Sequence, residues 1–230
     1  MGSHRRVAAD PYDGPTIEGI DISRWQPAVD FERVVASGIS FCIVRAADGK
    51  DSDPLFQDRY ELSKAAGLVT GSYIYFRADR GGKEQAEAMA DRVIRAGYDS
   101  EDIPPAVDLE RASRKNLDGG IWRDQGPLPH RLVLEETLEC LEALESRLGV
   151  APLMYTGEYF HWVCSQAAPD VAPDFAKYPL WVPSYEEGPP RMPSRHGRPF
   201  PWREWTIHQY SSRGRVDGVV GWVDLNRMRG

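Results

Sequence analysis

Short apolar runs separated by polar, amphipathic stretches set the rhythm of this chain. The runs Thr16 to Ser23, Ile39 to Ala46, Leu68 to Phe76, Pro105 to Glu110 and Pro152 to Thr156 predict strands. Between them, helix periodicity or helix punctuation predicts helices over Val29 to Ser37, from Asp53 to Ala66, and from Lys83 to Ala96. Asp53 followed by Pro54 reads as an N-cap with proline at the first helical position, and Gly67 and Gly97 read as C-terminal stops. The clearest helix is His130 to Leu148: Leu134, Leu138, Leu141, Leu144 and Leu148 recur every three or four residues before Gly149. After it the pattern changes. Leu180 to Val182, Thr206 to Tyr210 and Val219 to Leu225 read as strands with no long helix between them, and Glu186 to Pro201 reads as a long Pro/Arg-rich surface loop.

Repeated strand-helix units predict a parallel sheet covered by helices, and terminal strands without helices predict that the sheet closes irregularly. The expected fold is therefore α/β, an irregular TIM-like barrel of about eight strands and about five helices. Residues 1–15 read as a flexible lead and 16–230 as a single domain, with no internal repeat or linker.

Composition narrows the function. A net charge of -7, with no dense basic patch, argues against a nucleic-acid binder. No run approaches a membrane span, and no apolar segment follows Met1 to Arg6 as in a secretory leader. Cys42, Cys140 and Cys164 have no metal-ligand spacing and read as reduced thiols; neither a metal nor another cofactor is expected. Seven Trp and ten Tyr supply flat faces that suit core packing and sugar rings alike.

The candidate chemistry lies in Asp108-Leu109-Glu110. On a strand these two acids share a face, with Cα atoms about 6 to 7 Å apart, while Leu109 packs on the other side. Two carboxyls held so close do not both ionise freely, so one should keep its proton. They end a buried strand, where α/β barrels place their catalytic groups, and an acid paired with a carboxylate is the apparatus of glycosidic cleavage. Asp21 ends the first strand and Asp224 lies in the last. In a closed barrel those strands are neighbours, so both acids are expected to converge on the same mouth.

In order along the chain stand Gly19 to Ser23, Ala65-Ala66-Gly67-Leu68 with Gly71-Ser72-Tyr73, Val107 to Glu110, Leu180 to Val182 with Tyr185, Gln209-Tyr210-Ser211, and Val223 to Asn226. Together they resemble the glycoside hydrolase family 25 lysozymes, the Chalaropsis-type N-acetylmuramidases. The resemblance implies cleavage of the β-1,4 bond between N-acetylmuramic acid and N-acetylglucosamine in bacterial peptidoglycan. It implies Glu110 as general acid, Asp108 as its partner toward the N-acetyl group or the cationic transition state, and Asp21 and Asp224 as further active-site acids. Tyr73, Trp181, Tyr185, Gln209 and Asn226 would line the substrate groove. The chain departs from the family pattern at Ile74, Asp48 and His208, which bears on subsites and rate rather than reaction type; His208 is expected to be a packed residue.

Two rival readings are a family 18-like chitinase and a non-catalytic wall-binding barrel. The first expects an Asp-x-x-Asp-x-Asp-x-Glu run, which Pro104 to Val107 do not supply; the second must explain four retained acids. The expected working form is a monomer acting on the cell wall, extracellular or periplasmic. Endolysin-like release, or delivery by a phage or secretion-machine partner, fits the unmarked N-terminus.

Overall fold

The structure, a computed structural model, describes residues 14–110, 130–160, 163, 170–195, 198–199 and 201–230. Eight strands form the barrel: β1 (Thr16–Ile22), β2 (Phe41–Asp48), β3 (Val69–Tyr75), β4 (Ala106–Asp108), β5 (Leu153–Tyr155), β6 (Leu180–Pro183), β7 (Ile207–Gly214) and β8 (Val223–Arg229). Each pairs with the next in sequence. Pairing is parallel from β1 through β7 and antiparallel for β7 with β8 and for β8 with β1, which closes the ring. The helices α1 (Phe31–Ala36), α2 (Phe56–Ala65), α3 (Gly82–Arg95) and α4 (His130–Leu148) follow β1, β2, β3 and β4, and residues 158–160 after β5 are also helical.

Strand alternation splits the apolar residues into two cores. Phe41, Ile43, Ala106, Leu153, Tyr155, Trp181 and Ile207 fill the barrel interior. Their outward neighbours, including Cys42, Val44, Val107, Leu109, Met154 and Val182, pack under the helices with Met89, Leu134 and Leu141. Strands buried on both faces are why the sequence shows continuous apolar runs here. The buried Cys42 and Cys140 are free thiols, and Cys164 lies outside the described residues.

Helix α3 meets α4 at very short range. The Gly82 N–H donates to Glu136 Oε2 at 2.7 Å, and a Cβ at Gly82 would fall on the Glu136 carbonyl oxygen. Backbone cannot swing aside as a side chain can. Gly82→Ala is therefore expected to cost about 2 kcal/mol of stability through overpacking, read as a lower urea midpoint with an unchanged slope.

Local signals misplaced some boundaries. The second helix starts at Phe56 with Leu55 at the cap position, two residues after the expected Asp53 cap. Asp53 Oδ1 does accept the Leu55 N–H, but Oδ2 is held by Arg45 and by the Arg24 N–H, so the acid serves a tertiary site. The last strand runs from Val223, not Val219. Residues 215–222 form the connection that reverses the chain, with Gly218 and Gly221 at φ 93° and 99°, and Val219 makes only an isolated bridge to Val29. The expected 186–201 loop contains a small hairpin, Ser194–Arg195 with Arg198–Pro199. The expected loop from Arg111 to Pro127 and all but the end of the 1–15 lead lie outside the described residues. No helix among the described residues is long and apolar enough to cross a membrane.

Candidate active site

The C-terminal ends of the parallel strands open into a cavity of about 220 Å³. Its lining draws on all eight strands: Asp21 from β1, Arg45 from β2, Tyr73 and Tyr75 from β3, Asp108 from β4, Tyr155 from β5, Trp181 from β6, Gln209 from β7 and Asp224 from β8. Glu110 and the exposed Trp25 complete it from the loops beyond. The four sequence-predicted acids thus meet at one mouth.

Strand register explains the meeting. Asp108 is paired with Tyr75 on one side and Tyr155 on the other, and Asp21 lies directly opposite Asp224 across the antiparallel seam. Asp108 is the last residue of its strand, yet the backbone beyond it stays tied down. The Phe76 N–H donates to the Asp108 carbonyl at 2.9 Å, the Leu109 N–H to the Tyr155 carbonyl at 3.0 Å, and the Thr156 hydroxyl to the Leu109 carbonyl at 2.8 Å. Leu109 is buried in the outer core, so alternation returns Glu110 to the cavity as half-buried while Asp108 is only 6 % exposed.

The electrostatics follow from who neutralises whom. Arg45 lines the cavity, but its guanidinium donates to Asp53 at 2.9 and 3.0 Å. Arg77, next to Glu110 in effect, holds Asp48 through both carboxylate oxygens, at 2.6 and 3.0 Å, and stacks over Tyr75. With these cations already matched, burial and mutual repulsion push the four acids upward. Burial, then Asp21, lifts Glu110 to about 7. Burial, then Glu110 and Asp21, lifts Asp108 well above the ordinary carboxylate range. Burial and Asp21 lift Asp224 to about 9. Asp21 is raised by burial, with hydrogen bonds from Asn226, Gln209 and Asp224 opposing.

Among the described residues, the buried Asp108 Oδ1 has no hydrogen-bond partner. Such an orphan is costly, and in a cavity it marks a place where a ligand donor fits.

The other expected site residues divide by depth. Tyr73 and Trp181 line the cavity and meet edge to face with ring centroids 6.0 Å apart. Gln209 also lines it, whereas Asn226 lies behind, fully buried, between Trp181 and Asp21. Tyr185 stands exposed at the rim, its hydroxyl donating to Gln209 Oε1 at 2.7 Å. His208 is buried, with a ring nitrogen 2.8 Å from the Ser184 carbonyl and Trp205 and Tyr210 against it, as a packed residue should be. Sequence reasoning missed Arg45, Tyr75, Arg77, Tyr155 and Trp25. Only Arg45 carried a signal, a lone charge inside an otherwise apolar strand.

Comparison with known proteins agrees with this geometry. The family described as Glycosyl hydrolases family 25 matches residues 20–219. The uncharacterized protein YegX of Escherichia coli (strain K12) is 32% identical over 221 residues, 94% of this chain and 70% of the relative. Lysozyme M1 of Streptomyces globisporus is 29% identical over 222 residues, 96% of this chain and 70% of the relative. Among solved structures, the bacterial lysozyme from Streptomyces coelicolor superimposes with a TM-score of 0.77 at 26% identity, covering 95% of this chain and 94% of that one. The closed barrel, the four-acid mouth and these matches lead to one assignment: the chain belongs to the glycosyl hydrolases of family 25.

Proposed function

We infer that this chain is a peptidoglycan hydrolase, a lysozyme that cleaves the β-1,4 bond between N-acetylmuramic acid and N-acetylglucosamine, with Glu110 as its general acid. The observation that carries the assignment of roles is the state of Glu110. It reaches the cavity from a fixed backbone and holds its proton up to about pH 7, as an acid that must protonate a leaving oxygen near neutrality should. Asp108 sits deeper, and its unpaired Oδ1 suits the N–H of a substrate acetamido group. Held there, the acetamido oxygen can carry the oxocarbenium-like charge, one of the known exceptions to the two-carboxylate schemes. Tyr73, Trp25 and the rim Tyr185 offer ring faces and hydroxyls to the sugars.

The site of action is the bacterial cell wall. We further propose a monomer that reaches the wall by endolysin-like release or with a phage or secretion-machine partner. Digestion of purified peptidoglycan, followed by reduction and mass spectrometry, tests the bond assignment. New reducing N-acetylmuramic acid ends are expected; new ends solely on N-acetylglucosamine, or cleavage of chitin alone, would overturn it.

A further inference from the structure

We infer that Trp181 and Asn226 are positioning residues that hold Asp21 in its charged form, and that this charge keeps Glu110 protonated. The inference rests on the general-acid reading of Glu110. An indole N–H can only donate, and Trp181 Nε1 donates to Asn226 Oδ1 at 2.8 Å. That bond settles which way the amide faces. Asn226 must turn its NH₂ toward Asp21, and Nδ2 stands 2.7 Å from Asp21 Oδ2. Gln209 Nε2 donates to the same oxygen at 2.8 Å, while its Oε1 accepts the hydroxyls of Tyr155 and Tyr185 at 3.0 and 2.7 Å. One carboxylate oxygen thus takes two amide N–H bonds in a buried setting, where such bonds are strongest and favour the charged form.

Other groups act on the same acid. Asp21 also faces the carboxyls of Asp108, Glu110 and Asp224, the Cys42 thiol, the Tyr73, Tyr155 and Tyr185 phenols, and, from the neighbouring strand, Arg45. Glu110 faces Asp21, Asp108 and Asp224, the phenols of Tyr75, Tyr155 and Tyr185, and Arg77. Within that set the cations at the cavity are bound to Asp53 and Asp48, so amides do for Asp21 what an arginine does elsewhere. Asp224 holds the proton of the facing pair and donates it to Asp21.

Removing the N–H donors has two outcomes, with one consequence for Glu110. Either Asp21 takes a proton, or the proton crosses from Asp224 and the charge moves to that less buried acid, where solvent screens it. In the first case Glu110 loses the charge that held its proton; in the second it faces that charge on the less buried Asp224 and holds its proton less firmly.

The test follows the Glu110 carboxyl directly, by ¹³C NMR titration of glutamate-labelled protein, with the signal assigned from Glu110→Gln. Parent and Trp181→Phe are compared, along with the pH profile of peptidoglycan hydrolysis by each. The Glu110 midpoint is expected to fall by about 0.5 to 1 unit from its starting value near 7, and the alkaline limb of the rate should follow it. Asn226→Ser carries the same readout where Trp181→Phe is not recovered folded. A folded variant whose midpoint and alkaline limb stay in place overturns the inference, even if its rate is lower. A Glu110→Gln protein that hydrolyses wall as fast as the parent overturns the general-acid reading instead.

Discussion

Glu110→Gln lowers the rate of peptidoglycan hydrolysis by about 10³-fold, within the range a positioned general acid contributes, and no change of pH restores it. Glutamine keeps the shape of the side chain and can donate a hydrogen bond, but it cannot hand over a proton. The backbone ties through Phe76, Leu109 and Thr156 do not involve the Glu110 side chain, so the variant should fold as the parent does. Parent enzyme should lose turnover as pH rises through about 7, when Glu110 gives up its proton. The residual rate of the variant should show no such limb. Initial rates on labelled wall from pH 4 to 9, with a thermal melt as the folding control, check both statements. A variant that keeps the alkaline limb would assign the acid to another residue.

The second expected result concerns stability. Asp224→Asn should make the protein more stable at pH 8, by about 3 kcal/mol, and hardly change it at pH 4. Folding raises the Asp224 carboxyl from an ordinary 3.8 to about 9. Between those values the folded chain binds a proton that the unfolded chain releases, so stability falls as pH climbs through this window. An asparagine keeps an N–H donor for Asp21 and has no charge to bury. The gain is set below the full linkage value because the proton is shared with the facing Asp21, so only part of the raised value belongs to Asp224 alone. Urea titrations of parent and variant at the two pH values measure it. Equal stabilities at pH 8 would show that the cost of gathering four acids is met elsewhere. The same variant should hydrolyse wall more slowly, as expected where stability and activity compete for one residue.

How far the fold was legible depended on where each residue's decisive partner lies. The runs at 39–46 and 103–110 were readable because strands buried on both faces need apolar residues throughout, and an acid at the end of such a run stands out. Asp21, Asp108 and Glu110 were found for that reason, and Asp224 from its place in a last strand expected beside the first. Asp53 misled because its cap signal is local, whereas its actual partner, Arg45, arrives from a neighbouring strand. The last strand misled in the opposite sense. Val219 and Val220 look strand-like but lie between turn glycines, whereas β8 itself is polar. Its inward positions serve the site, and its arginines cover ring faces: Arg227 lies over Tyr210 at 4.5 Å and Arg229 over Trp205 at 4.1 Å. Composition gives no hint of such pairings. Trp181 and Asn226 were legible as site residues, but their bond to each other, and through it to Asp21, exists only after the barrel has closed.

That closure has a consequence for when the enzyme becomes active. Strand β8 docks between β7 and β1, and Asn226 reaches Asp21 across 205 positions of sequence. A ribosome that has made Asp108 and Glu110 has made the chemistry without its surroundings, because the seam is still open and Asp21 lacks Asn226 and Asp224. The site is therefore complete only once β8 has docked, and a chain clipped before Val223 is expected to lack the Asn226 and Asp224 contacts of Asp21.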